Sequence, residues 1–144
     1  MLTYNEMKIS VIDDLSYDVN IRRIFKKADS LIEGKDIELF YMKNLFLGCK
    51  EFELYLFCDD NRIVKIGLED EKFITSSIYN KNSIDKVTLK ENNTRSNEKI
   101  LEIKFKNCET FKFNSVSDSD LYTDLNLASR IEHIFKNITV MKNI

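Results

Sequence analysis

Cys49, Cys58, Cys108 and His133 are the residues whose types are best suited to chemistry, because thiolate and imidazole groups together make a tetrahedral zinc site. Their spacing speaks against that use. The chain has no Cys-x-x-Cys pair, and the four residues would have to converge from four separate elements. Free cysteine is commonly a small buried hydrophobe, and that is the expectation for all three. Their odd number and wide spacing give no disulfide framework, so a reduced, cytoplasmic setting is expected. Asp59-Asp60-Asn61 and Asp118-Ser119-Asp120 lack the Gly and distal Glu of a calcium loop, and read as a turn and a helix cap. The single histidine, His133, lies off the apolar stripe of its helix. No Gly-x-Ser-x-Gly elbow, P-loop or Gly-x-Gly-x-x-Gly run occurs, and three glycines leave little for a phosphate cradle. Glu51, Glu53, Glu69 and Asp70 alternate onto an outer sheet face. No catalytic, metal or cofactor residue is assigned, and a non-enzymatic chain is expected.

Binding chemistry leaves more to work with. Phe40, Met42 and Phe46 alternate away from Leu39 and Tyr41, while Tyr55 and Phe57 alternate away from Phe52, Leu54 and Leu56. A Phe/Tyr/Met set has the composition of a protein-contact patch, for a partner protein or a second copy. The competing expectation is that the N-terminal helical segment covers that face, since large uncovered apolar areas are rare on monomers. Lys43 and Lys50 are the candidate anion contacts, but two lysines hold a polyphosphate weakly. Lys81, Lys86, Lys90, Arg95 and Lys99 are interleaved with Asp85, Glu91 and Glu98, the pattern of a solvated edge. A net charge of −2 argues against a general nucleic-acid binder. No apolar run reaches the ~18 residues of a membrane span, and the polar start Met1–Glu6 is unlike a secretory signal. Heavy use of Asn, Ile and Lys fits an AT-rich bacterial or phage genome.

The elements that must carry these residues follow from period. Thr3-x-x-Glu6 has capping-box spacing. Ile9, Ile12, Leu15 and Val19, then Ile21, Ile24, Phe25, Ala28, Leu31 and Ile32, form a helical stripe that Ser16-Tyr17-Asp18 can interrupt, giving one helix or two. Gly34 is a natural stop. Between Asp36 and Ser115 the period falls to two, and seven strands are predicted. The first runs from Ile37 to near Gly48, and the second around Phe52–Leu56. The third spans Ile63–Leu68 with a bulge hinted at by Gly67, and the fourth Phe73–Tyr79. The fifth covers Ile84–Glu91, the sixth carries Leu101, Ile103 and Phe105, and the seventh Phe111 and Phe113. Asn61 tolerates a left-handed turn, Asn92–Asn97 has the composition of a mobile loop, and Asn107-Cys108 marks a tight hairpin. Leu121, Leu125, Ala128, Ile131, Phe135 and Ile138 stripe a closing helix, flanked by Leu127 and Ile134 and capped within Ser117–Asp120.

Seven meander strands followed by an amphipathic helix resemble the pleckstrin-homology-like (PH-like) superfold over Asp36–Ile138. Asn82–Val87 is similar to the start of the fifth strand in bacterial PH-like domains. The next two strands resemble the hairpin that follows it, with Phe111-Lys112-Phe113 leading into the helix. The whole chain also resembles a small uncharacterised bacterial family. The fold implied is a single α+β domain over 1–144: a helical segment over 1–34, then a PH-like region over 36–138. That region would be a seven-stranded, strongly bent antiparallel sheet stoppered by the last helix. Lipid-binding members of that superfold cluster basic residues on their first two strands; here only Lys43 and Lys50 stand there, which disfavours anionic lipid. The function expected is a protein-binding module acting through a sheet edge or aromatic face. The alternatives are a small-ligand or lipid-head-group binder, or an enzyme whose site the sequence hides.

Overall fold

The structure is a computed structural model that describes residues 2–14, 17–45, 47, 51–119 and 126–142. Thr3 caps α1 (Tyr4–Asp13), its hydroxyl oxygen accepting from the Glu6 amide at 3.2 Å. Asp18 caps α2 (Val19–Leu31), its carboxylate accepting from Asn20 N at 2.7 Å. The helical segment is therefore two helices, and the break resets the phase of the stripe. Tyr4, Met7 and Val11 form the buried face of α1, whereas Ile9 and Val19 are exposed. Ile21, Ile24, Phe25 and Ala28 are the buried face of α2, as the period requires, whereas Leu31 at the end of the expected stripe is exposed. Lys8 pairs with Asp29 at 2.9 Å and holds the two helices together.

Seven strands follow, and they form two sheets rather than one bent sheet. β1 (Ile37–Lys43), β2 (Glu53–Cys58), β3 (Arg62–Glu69) and β4 (Phe73–Asn80) make an antiparallel sheet in sequential order. β5 (Ile84–Glu91), β6 (Lys99–Phe105) and β7 (Thr110–Asn114) make the second. The split has a local cause. A 3-10 turn at Lys81–Ser83 follows β4, its Lys81 N–H donating to Asn61 O at 2.8 Å. The chain is thereby turned out of the first sheet before β5 begins, and the β5–β6 register shifts between Ile84 and Lys86. Gly67 makes no bulge: β3 and β4 stay in register from Arg62↔Asn80 to Glu69↔Phe73.

Turn chemistry sets the hairpins. Asn61 has φ 72°, as its residue type allows. The β6–β7 connection is four residues, Lys106–Glu109, two longer than the tight turn expected at Asn107-Cys108. Cys108 N donates to Phe105 O at 2.9 Å, and Cys108 takes φ 75°. Asn92–Asn97 is tied across its mouth by Asn92 N to Glu98 O at 3.1 Å.

The first sheet is covered on both faces. Phe40, Met42, Leu54, Leu56, Val64 and Ile66 line one face, by the cross-strand register. This is the face α1 and α2 cover: Phe25 stacks on Phe52 at 6.1 Å, and Tyr4 meets Phe40 edge-on at 5.9 Å. Tyr41, Tyr55 and Phe57 point the other way, into the second sheet. There Phe113 lies 4.3 Å from Tyr41 and 4.7 Å from Tyr55, and Phe111 lies 5.0 Å from Tyr55. α3 (Leu127–Lys142) packs across the end of both sheets. Its buried face is Leu127, Ile131, Ile134 and Ile138, one step round from the stripe expected through Ala128 and Phe135. Leu121 and Leu125 lie outside the described residues.

The β3–β4 turn carries strain that its sequence does not relieve. Asp70 and Glu71 have φ 53° and 57°, and Lys72 N closes the turn on Glu69 O at 3.0 Å. Asn or Asp followed by Gly is the usual pair for two consecutive left-handed residues. Glu71→Gly is therefore expected to stabilise the protein by about 0.5–1 kcal/mol, read as a higher urea midpoint at unchanged slope.

Candidate protein-interaction edge

β4 is built from residues that favour an extended backbone: Phe73, Ile74, Thr75, Ile78 and Tyr79 are aromatic or β-branched. It pairs with β3 on one side, and among the described residues no strand lies on its other side. An unpaired margin leaves a row of backbone donors and acceptors open to another chain. Proteins usually blunt such margins with charge, proline or a cover. β4 has none of these: Phe73-Ile74-Thr75-Ser76-Ser77-Ile78-Tyr79-Asn80 contains no charged residue and no proline. Its apolar side chains are also in solvent, with Phe73 67% and Ile78 68% exposed.

The remaining margins are treated differently. β5 carries Asp85, Lys86, Lys90 and Glu91. β1 is packed by α3, with Asn137 donating to Glu38 at 2.7 Å. Lys43 Nζ donates to the Lys112 carbonyl, so β1 and β7 are held together by a side chain.

Beside β4, on the face shared with Tyr55, lies a shallow groove of about 210 Å³ lined by Glu51, Glu53, Lys65, Glu69, Thr75 and Ser77. Its one lining cation is held: Lys65 pairs with Glu53 at 2.9 Å and sits 5.8 Å over the Tyr55 ring. Thr75 donates to Glu69 at 3.2 Å. Burial and the neighbouring Glu53 push the Tyr55 phenol well above its ordinary pKa, so it stays protonated. The groove is open to solvent, and Gly67 and Leu68 complete its lining.

Buried charge is used to tie elements together. Asp118, 2% exposed, accepts from Tyr41 Oη at 2.7 Å and from Asn114 N at 2.7 Å, and pairs with Lys43 at 3.3 Å. It is not the cap of α3, which starts only at Leu127. Arg130 donates to Leu2 O at 2.9 Å and lies 4.0 Å over the Phe40 ring. Burial pulls its pKa down to about 10, leaving it charged at neutral pH. Lys81 Nζ donates to Cys58 O at 2.6 Å.

Residues 7–127 match the family described as "Protein of unknown function (DUF3908)". This chain belongs to the DUF3908 family. The match runs from α1 to the start of α3 and so takes in both sheets, including β4. Neither the curated proteins nor the solved structures offer a match.

The interaction residues read from this DUF3908 sequence are placed as follows. Phe40, Met42, Tyr55 and Phe57 are all buried, because helices cover one face of β1–β2 and the second sheet covers the other. They form interior layers and not an open aromatic patch. Lys43 is engaged by Asp118, so its charge is committed inside the fold. Phe46 and Lys50 lie outside the described residues, as does Cys49. Cys58 is buried but Cys108 is exposed on its hairpin, and His133 is exposed on α3. Among the described residues, no three His, Cys, Asp or Glu side chains converge as metal ligands would. Among the described residues, no helix is long and apolar enough to cross a membrane. The bare edge was readable in one respect: eight uncharged residues, Phe73–Asn80, stand between the charged turn Glu69–Lys72 and Lys81.

Two outcomes follow from this chemistry. Asp118→Ala would leave Tyr41 Oη and Asn114 N without their acceptor and Lys43 without its counter-ion, and is expected to destabilise the protein by about 3 kcal/mol. Tyr41→Phe, which removes one bond, should cost about 1 kcal/mol; urea unfolding of both variants measures the difference. In peptide-resolved alkylation of the native protein, Cys108 should label readily. Burial pushes the Cys58 thiol up to about 11. It should stay unlabelled from pH 7 to pH ~10, since its thiolate forms only above that range, and react once urea unfolds the chain.

Proposed function

We propose that this chain is a non-enzymatic protein-binding module of PH-like type, working in the bacterial cytoplasm, that takes an extended segment of a partner as an added strand beside β4. Strand addition gives affinity through main-chain hydrogen bonds and specificity through alternate side chains. One observation carries the reading: β4 is an uncharged, unpaired edge whose Phe73 and Ile78 stand in solvent. The strand order and the closing helix support the PH-like assignment. A small-ligand role for the adjoining groove has less behind it, because its lining lysine, Lys65, is already held by Glu53.

Ile78→Lys tests the proposal, because lysine on an edge opposes strand addition and the side chain is too exposed to matter for stability beyond about 0.5 kcal/mol. A random dodecapeptide library panned against the protein should yield extended, β-branched sequences. Their binding should be lost in Ile78→Lys, and their amide shift perturbations should map to residues 73–80. Peptides that bind the variant equally well, or that perturb residues elsewhere, would overturn the assignment of this edge.

A further inference from the structure

β4 reads the same in both directions when its residues are sorted by chemistry. About Ser76 the order is aromatic, Ile, hydroxyl, Ser, hydroxyl, Ile, aromatic: Phe73, Ile74, Thr75, Ser76, Ser77, Ile78, Tyr79. From this pattern we infer that the partner strand at the bare edge is β4 of a second copy of this chain, paired antiparallel about a two-fold axis through Ser76. The inference rests on the strand-addition reading above and names its occupant.

The geometry of a sheet makes this register self-consistent. A two-fold axis perpendicular to a sheet keeps each face on its own side, so opposed residues must share a face. With Ser76 at the centre, every pair does. Ile74 meets Ile78 and Ser76 meets Ser76 on the helix-covered face, which is the face of Val64 and Ile66. Phe73 meets Tyr79 and Thr75 meets Ser77 on the opposite face. β-branched pairs, hydroxyl pairs and aromatic pairs are the favourable cross-strand combinations. No like charges are brought together, because Lys72 at the margin of the strand meets Asn80. Shifting the centre to Thr75 or Ser77 breaks the pattern: Thr75 then opposes itself and Phe73 meets Ser77, or Ile78 meets Ser76 and Tyr79 meets Thr75.

The pairing also uses what each chain leaves open. Tyr79 is anchored inside, with its ring 4.7 Å from Phe111 and its hydroxyl donating to Glu109 at 2.8 Å. The exposed Phe73 of the second copy would lie across from it and leave water, as would Ile78. Each chain offers one bare, uncharged edge, so pairing consumes it. The product is a closed dimer with an eight-stranded sheet and not a growing fibre.

The test uses the full chain. Sedimentation velocity over a concentration series should show a monomer–dimer equilibrium, with Ile78→Lys raising the dissociation constant on the order of 100-fold or more by placing lysines beside the opposing strand. Register is tested in a Cys49→Ser, Cys108→Ser background. Ser76→Cys should form an intermolecular disulfide on mild oxidation, because opposed residues in an antiparallel pair have Cα atoms about 4.5–5.5 Å apart. Thr75→Cys, opposed to Ser77, should cross-link far more slowly. A chain that stays monomeric overturns the second copy as partner, as does a dimer indifferent to Ile78→Lys, or Ser76→Cys cross-linking no faster than Thr75→Cys. The strand-addition reading is judged separately by the peptide selection, run on protein diluted below the dimer's dissociation constant, where the edge of β4 is free to take a peptide.

Discussion

Asp118 is reached from β1 by Tyr41 and Lys43, and from the end of β7 by the Asn114 amide. Among the described residues the strands of one sheet are not hydrogen-bonded to those of the other, so something else must fix how they meet. A carboxylate buried without partners would be untenable, and one with three partners from two sheets is satisfied only in a single arrangement. The backbone reinforces it: Asn44 N donates to Asp118 O at 2.7 Å, and Leu45 bridges to Ser119 in parallel sense. The aromatic layer of Tyr41, Tyr55, Phe111 and Phe113 supplies the apolar burial, but stacked rings tolerate sliding. The buried charge removes that freedom and specifies the register of one sheet on the other.

This arrangement leaves its mark on β4. The second sheet is three strands wide and faces a sheet of four, so it covers β1 and β2 more fully than the far margin. On the other face, α1 lies against β1 and α2 against β3, with Phe25 on Phe52 just ahead of β2. β2 is thus buried on both sides, whereas β4 is exposed along most of its length. The bare edge is a product of this mismatch in width, and the groove beside β4 is the uncovered remainder of the inner face.

Local chemistry was legible in the sequence and tertiary coverage was not. The Thr3 cap, the left-handed Asn61, the hairpin joining Phe105 to Thr110 and the inward set Leu101, Ile103 and Phe105 all follow from residue type and period. Alternation divides β1 and β2 into two faces, but when both faces are apolar it cannot say what lies over each. Phe40 and Met42 therefore read as a candidate surface and are interior. The stripe through Ile9 and Val19 failed because α1 turns Tyr4, Met7 and Val11 inward, and α2 starts afresh at its own cap, Asp18. Asp118, in a run of Ser and Asp ahead of an amphipathic stretch, has every local sign of a helix cap. Its partners Tyr41 and Lys43 are distant in sequence, and no local pattern announces them. On β4 the absence of charge was visible, but whether a neighbour covered the strand was not.

Arg130 joins α3 to the other end of the chain, through Leu2 O and the face of Phe40. Synthesis on the ribosome is vectorial, so α3 emerges only after both sheets have been made. Until it docks, the margin of β1 has no cover, and the nascent polypeptide exposes a second open strand at the opposite side of the same sheet from β4. A chain arrested at that stage could be extended from both sides, which is the geometry of a propagating aggregate and not of a finite assembly. The last helix therefore limits how many neighbours the growing molecule can recruit, and the interval before its arrival is when a chaperone would matter most.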